Sequence, residues 1–522
     1  MKTLLLALCL LFAGEASAID KAAVEKLAFG EADERSAAIA ALLAEGDPRT
    51  AALLQAVSEG EMQTAGKRIL IVKGGQGADA VTGEAVAPLP EGRDDVVANN
   101  RLRREIEGAL AAFKLLSPER ATRLEAAKAL VDGADAAMLP LVRKALEKET
   151  DPDIKPLLDL TAASMEMKSG DKETRLAAIR RLGESNSPNS RTLLSEAATD
   201  TDTDIRIAAQ KSLREVQGKL AWGERAGLLF AGISLGSILL LAALGLAITY
   251  GLMGVINMAH GELIMIGAYT TYVVQNFFKS HLAGAFDWYL LAAVPASFLV
   301  SACVGMILER AVIRWLYGRP LETLLATWGI SLMLIQSVRT IFGAANVQVE
   351  NPAFMSGGIQ AFAGVVLPWS RIGIVVFAVA VLISIWLLLT KTRLGLFVRS
   401  VTQNRDMASC VGVPTARVDT WAFGLGSGIA GLAGCALSQI GNVGPDLGQG
   451  YIVDSFMVVV FGGVGQLAGT VYAALTLGFA NKFLESVSGA VIAKIVVLVF
   501  IIVFIQRRPQ GLFAVKGRAV DA

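Results

Sequence analysis

Apolar and polar positions alternate in long blocks over the second half of the chain. A helical crossing of a bilayer core needs about 20 apolar residues. Segments 227–250, 261–278, 288–313, 321–342, 371–390, 421–440, 466–484 and 491–505 meet or approach that length and predict eight crossings. Segment 451–461 is apolar but short and ends at Gly462, Gly463, Val464 and Gly465, which predicts a broken or re-entrant helix. Residues 279–287 form a short loop carrying His281, and 343–370 form an excursion too polar and broken to span. Residues 391–417 are the longest polar stretch of this half.

Before residue 226 the pattern changes. Ala, Leu, Glu, Lys and Arg dominate, which favours helix. Residues 123–130 (RLEAAKAL) match 175–182 (RLAAIRRL) at an offset of 52, and 151–154 (DPDI) match 202–205 (DTDI) at 51. Residues 35–42 (RSAAIAAL) are a fainter third copy. Each copy reads as a helix pair resembling a HEAT-type repeat, with a somewhat longer spacing. Residues 69–100, with Gly74, Gly75, Gly77, Pro88 and Pro90, read as a loop or small hairpin. At the start, Lys2, an apolar run over 4–13, and Ala16, Ser17 and Ala18 describe a cleavable signal peptide. The expected class is therefore all-α: a polytopic helical membrane domain over 226–515, preceded by a signal peptide (1–18) and an exported helical domain with HEAT-like repeats (19–225).

Composition agrees with that division. The chain is 53% hydrophobic with mean hydropathy +0.52. The overall charge of +1 hides net −5 over 19–225 (35 acids, 30 bases) and net +6 over 226–522 (11 acids, 17 bases). Neither half concentrates the basic face that nucleic-acid binding requires. Threading the crossings from an outside start puts 12 of those 17 bases in inside segments, in line with the positive-inside rule. Apart from Cys9 in the leader, the cysteines are Cys303, Cys410 and Cys435, so the exported domain has no disulfide.

Candidate chemistry centres on residues 251–269. Asn257, His260 and Glu262 fall within six positions, among Gly251, Gly254, Gly261 and Gly267. An acid at membrane depth is costly unless it is paired or faces water. A polar, glycine-broken membrane segment is the signature of a solute path or gate. The competing reading is a turn in which His260 and Glu262 only cap helices. Asp454 is expected at the start of the broken segment, as a half-helix polar group or a plain N-cap. Gln275, Asn276, Gln439 and Asn442 read as helix-end residues. In the long polar loop, Arg393, Arg399, Gln403, Asn404, Arg405 and Asp406 are candidates for gripping a partner, with Leu394, Leu396, Phe397 and Val398 as one apolar patch. A lone His260 provides no nucleophile–base pair or metal cluster, so no enzyme, metal or cofactor is expected. No Walker-type phosphate loop occurs in the sequence.

Four ordered blocks carry a family resemblance. GVINMAHGELIMIGAY at 254–269, TRLGLFVRSVTQNRDMASCVG at 392–412 with AFGLGSGIAGLAG at 422–434, FGGVGQLAG at 461–469 and RPQGLF at 508–513 resemble the branched-chain amino-acid type permeases of ABC importers. The resemblance implies a multi-pass inner-membrane subunit without a cofactor, with its N-terminal domain periplasmic. It also implies a second permease subunit, cytoplasmic ATP-binding subunits and an exported solute-binding protein as partners, in contact with membrane lipid. Segment 391–413 would be the ATPase-coupling loop. The exported N-terminal extension resembles the urea branch, so urea is the expected cargo, with branched-chain amino acids or short amides as the alternative. Asn257, His260, Glu262 and Asp454 would then lie along the path or gate.

Overall fold

The computed structural model describes residues 20–513, apart from 46–47, 75, 91, 134–137, 186 and 363. The segment read as a signal peptide, together with Lys516 and Arg518, lies outside the described residues. The chain divides into two compact units, Met1–Ala221 and Trp222–Ala522.

The first unit opens with α1 (Lys21–Phe29), α2 (Ala32–Glu45) and α3 (Pro48–Glu59). Strands β1 (Met62–Ala65), β2 (Arg68–Lys73), β3 (Gln76–Asp79), β4 (Ala85–Val86) and β5 (Asp94–Asp95) follow. They form an antiparallel sheet in the order β4-β3-β2-β1-β5, where the sequence suggests a loop or small hairpin. The apolar run Ile69 to Val72 supplies the central strand. Ala65 pairs with Arg68 across the two-residue turn Gly66-Lys67, and Gly66 takes φ +61, which glycine adopts without steric cost. The remaining helices are α4 (Asn100–Lys114), α5 (Arg120–Gly133), α6 (Leu139–Lys148), α7 (Lys155–Glu166), α8 (Lys172–Glu184) and α9 (Pro188–Ala197). In α4, Leu102, Ile106 and Ala109 recur every three or four residues and are buried, and Asn99 caps the helix by accepting from the Leu102 N–H at 2.8 Å.

The two sequence copies carry the same ionic staple. In one, Arg123 binds Glu149 at 2.8 Å while Arg120 binds Asp151 at 2.6 Å and Asp153 at 2.5 Å. In the other, Arg175 binds Asp200 while Lys172 binds Asp202 at 2.9 Å and Asp204 at 2.6 Å. Each staple ties the start of one helix to the acidic loop before a later one. The fainter copy differs: Arg35 donates to the carbonyls of Gly30, Ala28 and Val97.

The second unit is built from α10 (Thr203–Met253, whose first residues belong to the first unit), α11 (His260–His281), α12 (Tyr289–Ala311), α13 (Pro320–Phe342) and α14 (Trp369–Lys391). Short helices α15 (Arg393–Gln403) and α16 (Arg405–Cys410) precede α17 (Thr415–Ser438), α18 (Leu447–Gly462), α19 (Leu467–Ser488) and α20 (Ala490–Arg507). The excursion before α14 holds a hairpin of β6 (Gly358–Phe362) and β7 (Val365–Pro368). Among the described residues, six helices are long and apolar enough to cross a membrane: Thr203–Gly251, Ala283–Trp315, Pro320–Phe342, Trp369–Lys391, Thr415–Ser438 and Ala490–Arg507. The other two predicted crossings form as α11 and α19, each 22 residues long but more polar, and α18 is the short apolar helix expected there.

Glycine sets how closely the central helices approach. A Cβ on Gly261 of α11 would lie 2.6 Å from the Gly448 carbonyl oxygen of α18. A Cβ on Gly434 of α17 would fall inside the van der Waals radius of the Ile264 carbonyl oxygen on α11. Small residues at such crossings let helix backbones pack where lipid offers no hydrophobic drive. α17 is buried nearly all round between α11 and α12, whereas α14 and α20 are peripheral.

Candidate functional site

Residues 254–259 separate α10 from α11. Gly254, at φ +64, lets the chain leave the helix, and its N–H still reaches the Tyr250 carbonyl at 3.0 Å. Asn257 then accepts from the Ala259 N–H through Oδ1 at 3.0 Å, and α11 starts at His260. The buried Asn257 uses only that oxygen; its Nδ2 has no hydrogen-bond partner among the described residues. The break is clipped to α13, because the Thr327 hydroxyl accepts from the Met258 N–H at 3.2 Å.

His260 and Glu262 leave α11 in different directions. His260 is fully buried, and its Nε2 donates to the Ala242 carbonyl on α10 at 2.9 Å. That bond puts the proton on Nε2 and leaves Nδ1 an acceptor without a partner among the described residues. Glu262 is buried near Ser331 of α13, and its Oε2 has no hydrogen-bond partner among the described residues. The backbone of the break and Glu262 therefore lie toward α13, and His260 turns to α10.

The face that α13 offers is a polar stripe. Thr323, Thr327 and Ser331 recur every fourth residue and are all buried, on the same face as the apolar Ile335 and Val338. Sequence reasoning passed over these hydroxyls; their spacing of four inside a membrane segment is the signal that marks them.

Asp454 lies elsewhere. α18 begins at Leu447, so Asp454 falls in its interior rather than at its start, and it pairs with Lys494 of α20 at 3.3 Å. Gln275 and Gln439 are both engaged. Gln275 accepts from the Glu350 N–H at 3.0 Å, and Gln439 accepts from the Tyr289 hydroxyl at 3.2 Å. Asn276, His281 and Asn442 are exposed.

The polar loop folds into α15 and α16. Thr392 caps α15, which buries Gly395, Val398 and Val401. Leu396 and Phe397 are exposed, so the expected single apolar patch is split between two faces. Arg393, Arg399, Gln403 and Asp406 are exposed, and the Arg399 Nε donates to the Gly395 carbonyl of its own helix at 3.3 Å. Asn404 is occupied as the N-cap of α16, accepting from the Met407 N–H at 2.9 Å. Arg405 faces inward: it pairs with the fully buried Asp419 of α17 and lies 4.9 Å over the Tyr317 ring. Burial first, then the Asp419 and Glu309 carboxylates, raise the Tyr317 hydroxyl above its ordinary 10.0, so it stays protonated and donates to Glu309 at 3.1 Å.

Comparison with known proteins places this second unit. The family described as branched-chain amino acid transport system / permease component matches residues 228–505. The high-affinity branched-chain amino acid transport system permease protein BraD of Pseudomonas aeruginosa is 28% identical over 287 residues, covering 54% of this chain and 93% of that protein. LivH of Escherichia coli, with the same description, is 28% identical over 293 residues, covering 54% and 94%. The autoinducer 2 import system permease protein LsrD of Yersinia enterocolitica is 28% identical over 225 residues, covering 39% and 66%. No solved structure matches the chain. With more than half of its length inside the family match, the chain belongs to the branched-chain amino-acid transport system permease family.

Proposed function

We propose that this chain is the transmembrane permease subunit of an inner-membrane ABC importer for a small polar solute. A second permease subunit, cytoplasmic ATP-binding subunits and an exported solute-binding protein complete the machine in this reading. The observation that carries it is the glycine-broken segment 254–259, clipped to Thr327 and holding buried Asn257, with buried Glu262 just after it, each with one polar atom unpartnered among the described residues, inside the family match. The relatives' names favour a branched-chain amino acid as cargo. In this reading the first unit stands outside the inner membrane, released by the signal peptide, and serves as a docking or scaffolding module. The basic residues 391–417 and 507–508 then face the cytosol, as the positive-inside rule requires.

Urea is a second reading, and one specific observation favours it. Glu262 forms no ion pair among the described residues, and Ser331 beside it is neutral. A neutral solute needs hydrogen-bond donors and acceptors, whereas an amino acid also benefits from compensating charge. The 227 residues before the family match accord with the urea branch. Uptake of labelled leucine and labelled urea, in cells lacking this gene and complemented with it, separates the two. Saturable leucine uptake unaffected by urea supports the first, and the reverse supports the second. Uptake of neither overturns both.

A further inference from the structure

Beneath α16, polar side chains from three separate parts of the second unit close into a ring. Arg405 is the first residue of α16, where the Asn404 cap fixes the backbone. Its Nη1 lies 3.3 Å from Oδ1 of Asp419, and Nη2 meets the other carboxylate oxygen, a forked pairing suited to a guanidinium. The same guanidinium covers the Tyr317 ring at 4.9 Å. Tyr317, in the turn between α12 and α13, donates to Oε1 of Glu309 at 3.1 Å. The Thr420 hydroxyl, next to Asp419 on α17, lies 2.7 Å from Oε2 of Glu309. Glu309 and Asp419 are both fully buried, on α12 and α17 respectively.

A buried ion pair is weak evidence for stability, because well-packed apolar residues often do as well. What this network does is join. α12 and α17 pack along one another and both pack on α11, whose first turn carries Glu262. Leu396, Phe397, Met407 and Val411 of the loop stay exposed, while Arg405 turns in. The loop thus has an outer surface free for a partner and one charged root in the helix core.

We propose that Arg405 is a positioning residue of the transport cycle. Through Asp419, and through Tyr317 to Glu309, it tethers loop 391–413 to α12 and α17, so that a movement imposed on the loop reaches the helices that hold the broken segment. The proposal rests on the reading that a partner ATPase drives the permease through this loop. It also recasts Arg405 within the loop. Exchanging the charges of Arg405 and Asp406 would set a carboxylate against Asp419 and break the tether.

The test uses the complete importer in proteoliposomes, with labelled leucine or labelled urea, whichever the wild type carries. Uptake, ATP hydrolysis and thermal stability are measured together. Tyr317→Phe keeps the ring under Arg405 and removes the hydroxyl that donates to Glu309. Asp419→Asn removes the charge partner, and Arg405→Lys keeps charge without the fork. Uptake per ATP should fall about fivefold in Tyr317→Phe and about tenfold or more in Asp419→Asn, with ATP hydrolysis within about twofold of wild type. Arg405→Lys should fall between wild type and Asp419→Asn. The Tyr317→Phe, Asp419→Asn double variant should be little worse than Asp419→Asn, because both act through one tether. Parallel loss of uptake, hydrolysis and stability would reduce the ring to a structural contact and overturn the proposal, as would normal uptake per ATP in Tyr317→Phe. That variant decides the matter even where Asp419→Asn fails to assemble. A wild-type complex that transports without ATP would refute the underlying reading and the tether with it.

Discussion

Thr327→Val isolates the clip that holds the broken segment. The Thr327 hydroxyl accepts from the Met258 N–H at 3.2 Å and donates within its own helix to the Thr323 carbonyl at 2.8 Å. Valine fills the same volume, so no cavity opens. The in-helix bond matters little, since that carbonyl already serves the helix ladder. What is lost is the acceptor for a half-buried N–H, worth about 1–2 kcal/mol. At roughly 2–4 °C per kcal/mol for a large domain, melting in detergent should drop by about 2–8 °C. If the clip also biases the segment toward its working shape, uptake per molecule should fall about five- to thirtyfold. Thr327→Ser is the control. It loses one buried methyl, about 0.8 kcal/mol, but keeps the acceptor. Its uptake per molecule should match wild type. Equal uptake per molecule for the valine and serine variants would refute the reasoning, because the hydroxyl would then not be what holds Met258.

Three further outcomes are expected. Glu262→Ala should lower transport more than membrane abundance, measured by uptake against immunoblot; a parallel fall would support the cap reading. Gly434→Val should reduce the properly folded fraction in size-exclusion profiles, since overpacking costs about 1–3 kcal/mol and the obstacle is the Ile264 backbone, whereas Gly441→Ala, with open space around it, should be tolerated. In the first unit, the Arg123 hydrogen bond, followed by the backbone N–H groups of Asp151 and Thr150, holds the Glu149 carboxyl below its ordinary 4.5. Its contribution is complete above about pH 4.5 and is lost as pH falls through the depressed value, so Glu149→Gln should flatten the acid limb of the melting curve below that pH.

Peripheral elements were the most legible in the sequence. α14 and α20 are apolar almost all round, because lipid or a partner covers them, and their predicted spans differ from the observed ones by two residues or fewer at each end. The central α17 is harder to read from apolarity. Its helix packing requires glycines, which dilute hydropathy, and its start was placed six residues late. The start of α18 was misplaced for a related reason. The predicted segment begins at 451, after Gly448 and Gly450, yet Gly448 sits in the helix, where Gly261 crosses it. The small sheet was missed because β1, β3, β4 and β5 are short and lack alternating apolar residues. At the candidate site, the polar break itself was visible from residue type and spacing. Its partners were not. Ser331 is 69 residues from Glu262, and Asp419 is 14 from Arg405 but in another helix. Only the fold brings such pairs together.

The competing readings of residues 257–262 divide on how completely each polar side chain is used. A group retained only to cap a helix should end with its hydrogen bonds made, since a buried unmade one costs about 1–3 kcal/mol. Asn257 does cap: Oδ1 takes the Ala259 N–H. Its amide nitrogen, also buried, takes nothing. Glu262 stands in the first turn of α11, where the helix dipole favours an acid, near Ser331. Its second oxygen still has no donor. Alanine at both positions would remove those costs, and serine at 257 would keep the cap without burying an idle amide. The cap therefore accounts for half of each side chain. The idle halves are one donor and one acceptor among the described residues, groups that a polar solute on a path would use. Asp454 offers the contrast: its carboxylate is engaged by Lys494 on a peripheral helix, leaving it the weakest of the four candidates for contact with cargo.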